Sequence, residues 1–486
     1  MTGLPPVLLA GIDGHGRLGD EAVIEALVRG LREKLPDLRL TVVAADEERT
    51  RRWLETQTVP CAEWAPIAAA VDASRVVVVA CGRALTDLDG FDPEHVLADG
   101  SRGLAHTAGV VLLARAFGRP YVLASVALAA IETPAAQAAA GALASRAARV
   151  GAAGPDSAAR LSALGADPAR VDTAADLAFA LRPCAATRVE EILAAARLAP
   201  GAEPLLAVVP PEIPDTTARD ADVAAALADL AGATDATVVL APFELETPTA
   251  WLERLRERLP AGRGCMLPPG LRPPEMAGVL GRCELVVALQ RHGAILAAVG
   301  GTPALAVAPL EGAAAGDLEV AGLGLPPEAP SDLAGRLAWA WRRRAELRAA
   351  VPGAAANLAS LAARWLASLA DDLAPFADAP EPSLLAPLLG PALRGALKRA
   401  RAASFERARI EREVTARLEA RHLELAGEVE DRDRLVRELQ FELHTKVGER
   451  DRLIRSLQDE LFAKVGERDR LIQQLQAQLT EQRGDR

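Results

Sequence analysis

Short runs of apolar, largely β-branched residues alternate with helical stretches along this chain, stop, and then start again. Val7–Ile12 reads as a strand, Asp20–Lys34 as a helix and Leu40–Ala44 as a strand. Arg75–Ala80 reads as a buried strand, Gly103–Phe117 as a helix, Tyr121–Ser125 as a strand and Ala135–Ala148 as a helix. After a Pro/Ala-rich break, Leu205–Val209, Thr237–Leu240, Leu285–Leu289 and Ala304–Ala308 read as strands. The helices between them are Ala221–Leu230, Pro248–Arg258, Glu275–Leu280 and Ala294–Val299. Such alternation demands crossover connections, and so parallel sheets covered on both faces. The expected fold class is α/β, with two doubly wound lobes at 1–183 and 204–325 facing a cleft. Ligands in such folds bind at the carboxyl ends of the strands.

Two further helices, Ser331–Ala349 and Ala354–Ala370, carry Trp339, Trp341 and Trp365. Helical spacing makes these packing residues, in a segment, 326–372, expected to close the lobes. Residues 373–392 are rich in Pro and Ala and read as a linker. From 393 to 483 the chain turns to charged residues with regular apolar positions, a coiled-coil signal. KVGERDR occurs at Lys446–Arg452 and again at Lys464–Arg470, 18 residues later, and Asp433–Val436 opens a third copy. Val436, Leu439, Leu443, Val447, Ile454, Leu457, Leu461, Val465, Ile472, Leu475 and Leu479 form one seam. Eighteen residues make five turns, so the seam hardly drifts around the helix. Such a seam needs a partner, most simply a second copy, so a homo-oligomer is expected. Gly448 and Gly466 cost helix stability, which points to a close contact or a kink there.

The 486 residues suffice for two lobes and an extension, and 50% are hydrophobic, enough for a large core. A net charge of −11 argues against a nucleic-acid binder. Cys61, Cys81, Cys184, Cys265 and Cys283 have no metal-ligand spacing, so reduced thiols and no metal site are expected. MTGLPPVLLAGIDG lacks a basic region and reads as a first strand rather than a signal peptide. No run of 18 apolar residues is present. The expected location is cytoplasmic, and the chain could sit near the inner membrane face through a partner.

Gly11–Ala22, GIDGHGRLGDEA, places a Gly-rich turn between a strand and a helix. Such a turn can aim backbone N–H groups at an anion, or it can be a packing turn. Gly19-Asp20-Glu21-Ala22 resembles the Gly-Asp-Glu-Ala element of polysaccharide pyruvyl transferases, with Arg17 at the family's Asn position. Arg75–Asp87 resembles the family's apolar strand, Gly turn and Asp, keeping Gly82 and Asp87. Gly109–Leu123, Ser157–Gly165 and Asp176-Leu177-Ala178-Phe179 resemble further elements in the family's order. Leu285–Pro303 resembles its strand, Arg-Leu-His motif, helix and Gly-x-Pro turn. The resemblance covers about residues 5–325 and implies a two-lobed, glycosyltransferase-B-like architecture.

It also implies ketal formation on a sugar with phosphoenolpyruvate as donor substrate and no cofactor. The acceptor would be a sugar or lipid-linked glycan of a cell-surface polysaccharide. Its site would draw on His292 for acid/base chemistry, with Gly19, Asp20, Glu21, Asp87 and Arg291 binding substrate. Three cationic positions of the family depart here. The Arg of Arg-Asp-x-x-Ser falls in Ala153-Gly154-Pro155-Asp156-Ser157, the Lys after Gly-x-Pro in Leu310-Glu311-Gly312, and the Arg of Arg-Leu-His on Gln290. Arg17, Arg83 or Arg291 would have to replace that charge. Phosphoenolpyruvate carries two anionic groups, so losing cations weakens the basis for holding it. His292 reads equally well as a catalytic group or as a structural residue at a helix start. His15, His95, His106, His422 and His444 read as structural. Two other readings remain open: a lapsed family member serving as a dimeric scaffold or glycan-binding subunit, and a nucleotide-sugar glycosyltransferase. The last lacks an evident acidic ribose contact, Glu311 being a poor candidate.

Overall fold

Seven consecutive strands build the first sheet of the computed structural model. They are β1 (Val7–Ala10), β2 (Leu40–Ala44), β3 (Gln57–Pro60), β4 (Val76–Ala80), β5 (Tyr121–Val126), β6 (Arg149–Ala152) and β7 (Val171–Thr173). They pair in parallel in the order β3-β2-β1-β4-β5-β6-β7. A second parallel sheet contains β8 (Leu205–Val209), β9 (Thr237–Leu240), β10 (Gly264–Met266), β11 (Leu285–Ala288) and β12 (Ala304–Ala306). Its order is β10-β9-β8-β11-β12. The structure describes residues 5–11, 17–80, 85–87, 90–98, 101–128, 131–198, 204–211, 218–243, 249–307, 332–373 and 386–484.

The first lobe carries α1 (Leu18–Lys34), α2 (Glu47–Leu54), α3 (Trp64–Ala73), α4 (Gly103–Ala116), α5 (Pro134–Arg146) and α6 (Pro155–Ala163). The second carries α7 (Ala186–Ala195), α8 (Ala218–Ala233), α9 (Thr249–Arg258), α10 (Pro273–Gly281) and α11 (Arg291–Val299). Then come α12 (Leu333–Arg342), α13 (Arg344–Leu373) and α14 (Ala386–Gly484). The two sheets with their flanking helices form the expected α/β architecture. Strand order reverses direction between β1 and β4 in one sheet and between β8 and β11 in the other. Those two switch points are where such sheets open a crevice for ligand.

Side-chain alternation along the strands builds three cores. Leu8, Ala10, Val77 and Val79 face α3 and α4. Leu206, Val208, Leu285 and Val287 face the opposite side of the second sheet, against α8, α9 and α12. Val7, Leu9, Val76 and Val78 join α1 and α13 in a cluster that also takes in Ala207, Val209, Val286 and Ala288. One apolar core thus runs from the first sheet to the second. Trp341 of α12 is buried in the second lobe, while Trp365 of α13 lies against Gly151 of β6, so the segment spans both lobes. Trp341 and Trp365 thus do the packing work expected of them.

Four strands escaped the sequence reading: β3, β6, β7 and β10. Each is a short or outer strand of its sheet with weak apolar patterning, as in QTVP and VDT. The first strand ends at Ala10 rather than Ile12, because Gly11 adopts a left-handed φ of 98°. A side chain at Gly11 would strike the Ala80 carbonyl oxygen, so the two switch-point strands approach there only with glycine. The helix α14 starts at Ala386, inside the segment read as linker, and residues 374–385 lie outside the described residues. It runs unbroken through Gly448 and Gly466, where an added Cβ would meet open space. Among the described residues, neither glycine marks a kink or a close contact. Among the described residues, no helix is long and apolar enough to cross a membrane.

Candidate functional site at the junction of the lobes

An arginine and a histidine open α11, which for cationic groups is electrostatically the wrong end. A helix N-terminus carries partial positive charge and favours anions. Arg291 and His292 nevertheless occupy its first turn, both buried. The compensating charge is Asp176, from the segment between β7 and a short 3-10 turn, Leu177–Ala180. Asp176 is buried and pairs with the Arg291 guanidinium through Nη1. The same carboxylate oxygen lies 3.5 Å from His292 Nε2. Its other oxygen accepts the Ala178 N–H at 3.0 Å, capping the turn. That turn is held in place from the first sheet, where Ser125 Oγ accepts the Leu177 N–H at 3.0 Å. Ser125 itself takes a positive φ of 57°, a strained conformation at the end of β5.

The opposite side of His292 is closed by α1. A Cβ on Gly19 would fall on the imidazole at Nδ1, so glycine is required for the ring to lie against the helix. The Leu18 N–H, an orphan donor of the first turn, donates to the Phe243 carbonyl of the second lobe at 2.8 Å. Gln290, at the position of the family's Arg, donates from Nε2 to the Pro210 carbonyl beyond β8 at 2.9 Å. The first lobe thus supplies Gly19, Asp20 and Asp176, the second Gln290, Arg291 and His292.

The electrostatics follow from burial and pairing. Burial alone would raise the Asp176 pKa, but the Arg291 and His292 charges beside it hold it well below the usual carboxylate range. For His292 burial favours the neutral ring; the Asp176 carboxylate, with Asp20 adding to it, outweighs this and raises its pKa. A raised imidazole pKa suits a proton donor near neutral pH.

Gly19, Asp20, Arg291 and His292 therefore come together at this junction. Glu21 turns to the Arg49 guanidinium, which holds both its oxygens. Asp87 accepts the Glu132 and Thr133 N–H groups, at 3.1 and 2.9 Å, before α5. Ser157 is buried and accepts the Leu128 N–H at 3.1 Å, while Ala153 is a buried alanine on the strand side of it. His106 packs on Trp64, with ring centroids 5.1 Å apart, and His95 pairs with Asp92. His15, Arg83 and Leu310–Gly312 lie outside the described residues.

Sequence reasoning noticed Asp176 as part of a motif but gave it no place in the site. The available signal was a lone acidic residue opening the apolar run Leu177–Ala180. What was hidden is the long-range pairing: nothing in sequence spacing links Asp176 to Arg291.

The family model for "Polysaccharide pyruvyl transferase" matches residues 18–310, from the start of α1 to just past β12. The chain belongs to the polysaccharide pyruvyl transferase family. No curated protein is significantly similar to it in sequence. Among solved structures, UDP-GlcNAc 2-epimerase from Neisseria meningitidis bound to UDP-GlcNAc superposes with TM-score 0.53 at 10% identity, covering 75% of this chain and 99% of that one. A glycosyltransferase from Rickettsia africae gives TM-score 0.51 at 10% identity, over 76% and 98%. HepE from Anabaena in complex with UDP-glucose gives 0.50 at 13%, also over 76% and 98%. At this identity the likeness concerns the fold. This pyruvyl transferase family member has two lobes of glycosyltransferase-B-like architecture and, beyond them, a long C-terminal helix.

Proposed function

We propose that this pyruvyl transferase family member acts on a sugar of a cell-surface polysaccharide precursor, with phosphoenolpyruvate as donor and slow turnover. The observation that carries this reading is the Asp176–His292 pair, set where α11, which follows switch-point strand β11, meets Gly19 of α1, which follows switch-point strand β1, in a family-matched chain. Ketal formation joins two sugar hydroxyl oxygens to C2 of the donor and releases phosphate. Of the two hydroxyl protons, one goes to C3 of the donor and one leaves with the phosphate. A raised-pKa imidazole held by a carboxylate can supply and retrieve a proton in that sequence. Slow turnover follows from charge matching. Arg291 is neutralised by Asp176, and the family's Arg and Lys positions hold Ala153 and Leu310–Gly312. At these three positions little cationic charge is left over for a phosphate and a carboxylate together.

The test incubates the full chain with phosphoenolpyruvate and sugar acceptors and measures phosphate release. Turnover well below that of a motif-complete member is expected, falling by about 10²–10⁴-fold in His292→Ala. Release as fast as in a motif-complete member would show that the charge matching does not limit the reaction. Release unaffected by His292→Ala would remove His292 from the chemistry. The buried Arg291–Asp176 pair also favours a second reading, a family member that binds glycan without transfer. Saturable sugar binding with no phosphate release at any acceptor would establish it. Hydrolysis of a UDP-sugar without any use of phosphoenolpyruvate would instead favour a nucleotide-sugar glycosyltransferase.

A further inference from the structure

The 18-residue repeat of α14 carries a stripe of exposed apolar side chains and a charge pattern that is self-complementary. Leu439, Leu443, Ile454, Leu457 and Leu461 are all exposed, as is Val436. At about 100° per residue these side chains, with Leu435, Val447 and Leu453, lie on one broad face. Near the middle of that face, once per repeat, stands an arginine: Arg432, Arg450 and Arg468. Each is followed by an aspartate, Asp433, Asp451 or Asp469, at the margin of the stripe. Within one helix Arg450 and Arg468 turn to the next residue, at 3.0 Å to Asp451 and 2.9 Å to Asp469. Gly448 and Gly466 lie on the opposite face.

We propose that α14 pairs with the same helix of a second copy, running antiparallel, with the two-fold axis between Arg450 and Asp451. The charges select the direction. In a parallel pair in register, each arginine meets its own copy near the centre of the interface, at three levels. Like charges facing one another in a closing interface oppose it. In the antiparallel pair, Arg450 meets Asp451 of the other copy, and the same axis sets Arg432 against Asp469 and Arg468 against Asp433. That one axis also brings apolar residues level: Val447 with Ile454, Val436 with Val465, Leu443 beside Leu457 and Leu439 beside Leu461. Sliding the pair by a whole repeat preserves the Arg–Asp matches but leaves part of the repeated block without a partner. Hence the centred register is the one that covers the most stripe. The 18-residue period lets two nearly straight helices stay in contact over this length.

The test uses the full chain. Light scattering at micromolar concentration is expected to give a dimer mass. Leu443→Asp with Leu461→Asp is expected to give a monomer whose lobes melt as in the parent. To read direction, Val447→Cys and Ile454→Cys chains are mixed and oxidised, and cross-linked peptides are identified by mass spectrometry. A bond between position 447 of one chain and 454 of the other is expected, with none joining 447 to 447 when the first variant is oxidised alone. A 447–447 bond would overturn the antiparallel arrangement. A monomer, a larger assembly, or a chain whose helix is held by a different protein would overturn the pairing.

Discussion

Asp176 serves two cations with one carboxylate, so replacing it has consequences for both. Its side chain is 1% exposed and that of Arg291 6%. Asp176→Asn leaves a buried guanidinium without its counter-charge, a change that costs about 3–5 kcal/mol in comparable buried pairs. Chemical denaturation should show that loss; an unchanged midpoint would mean that the guanidinium finds water instead. The imidazole responds in the opposite sense. His292 should titrate above its ordinary 6.5 in the parent and below it in Asp176→Asn, where burial and the Arg291 charge outweigh the smaller pull of Asp20. The His292 ring proton resonance against pH reads this directly, and a midpoint unmoved by the substitution would refute it. The signs fix the stability window. The Asp176 contribution is present above the ordinary carboxylate value of 3.8 and fades as pH falls through its depressed value. The His292 contribution is present below 6.5 and fades as pH rises through its raised value. Glu21 is an acid of the opposite kind. Burial pushes it up to about 7 from an ordinary 4.5, against the pull of Arg49. Its contribution is therefore full below 4.5 and lost as pH climbs to about 7. Glu21→Gln should flatten the fall in melting temperature across that interval, and parallel slopes in the two proteins would contradict this.

Among the elements, the strands at the switch points were the most legible from sequence. VVVVA at β4 and LLAVV at β8 are unbroken apolar runs because both their faces are covered. The outer strands were not, since a strand such as Val171–Thr173 has little to bury and is set by its neighbour's hydrogen bonds. The site was half legible for the same reason. Gly19, Asp20, Arg291 and His292 sit just beyond strand ends, where a pattern of strands suffices to place them. Glu21 and Asp87 also lie beyond strand ends, yet their carboxylates are engaged by Arg49 and by the Glu132–Thr133 backbone. Side-chain direction of that kind depends on partners far along the chain. In α14, the described residues place no structural demand on the two repeat glycines. Gly448→Ala and Gly466→Ala should each stabilise the helix by about 1 kcal/mol. Thermal loss of helical circular dichroism in the full chain measures it, and destabilisation would reveal a contact on that face which the isolated chain does not make.

At the scale of the whole molecule, the two lobes are joined by more than a cleft. They share the apolar cluster around α1 and α13, and α12 and α13 carry the chain from one lobe back to the other. The expectation of two lobes was accessible from the interrupted strand–helix pattern. Their common core was not, because it is assembled from residues hundreds of positions apart, such as Val7 and Trp365. One bond across that junction has a use beyond architecture. The Leu18 amide finds its acceptor not in its own lobe but in the Phe243 carbonyl of the other. Any separation of the lobes strips that amide of its acceptor while leaving the helix behind it intact. Leu18 is accordingly a built-in gauge of the gap, readable by hydrogen–deuterium exchange. With the lobes together it should exchange as slowly as Leu27, deep in the same helix. Exchange as fast as an open amide while Leu27 stays protected would mean that the lobes spend most of their time apart.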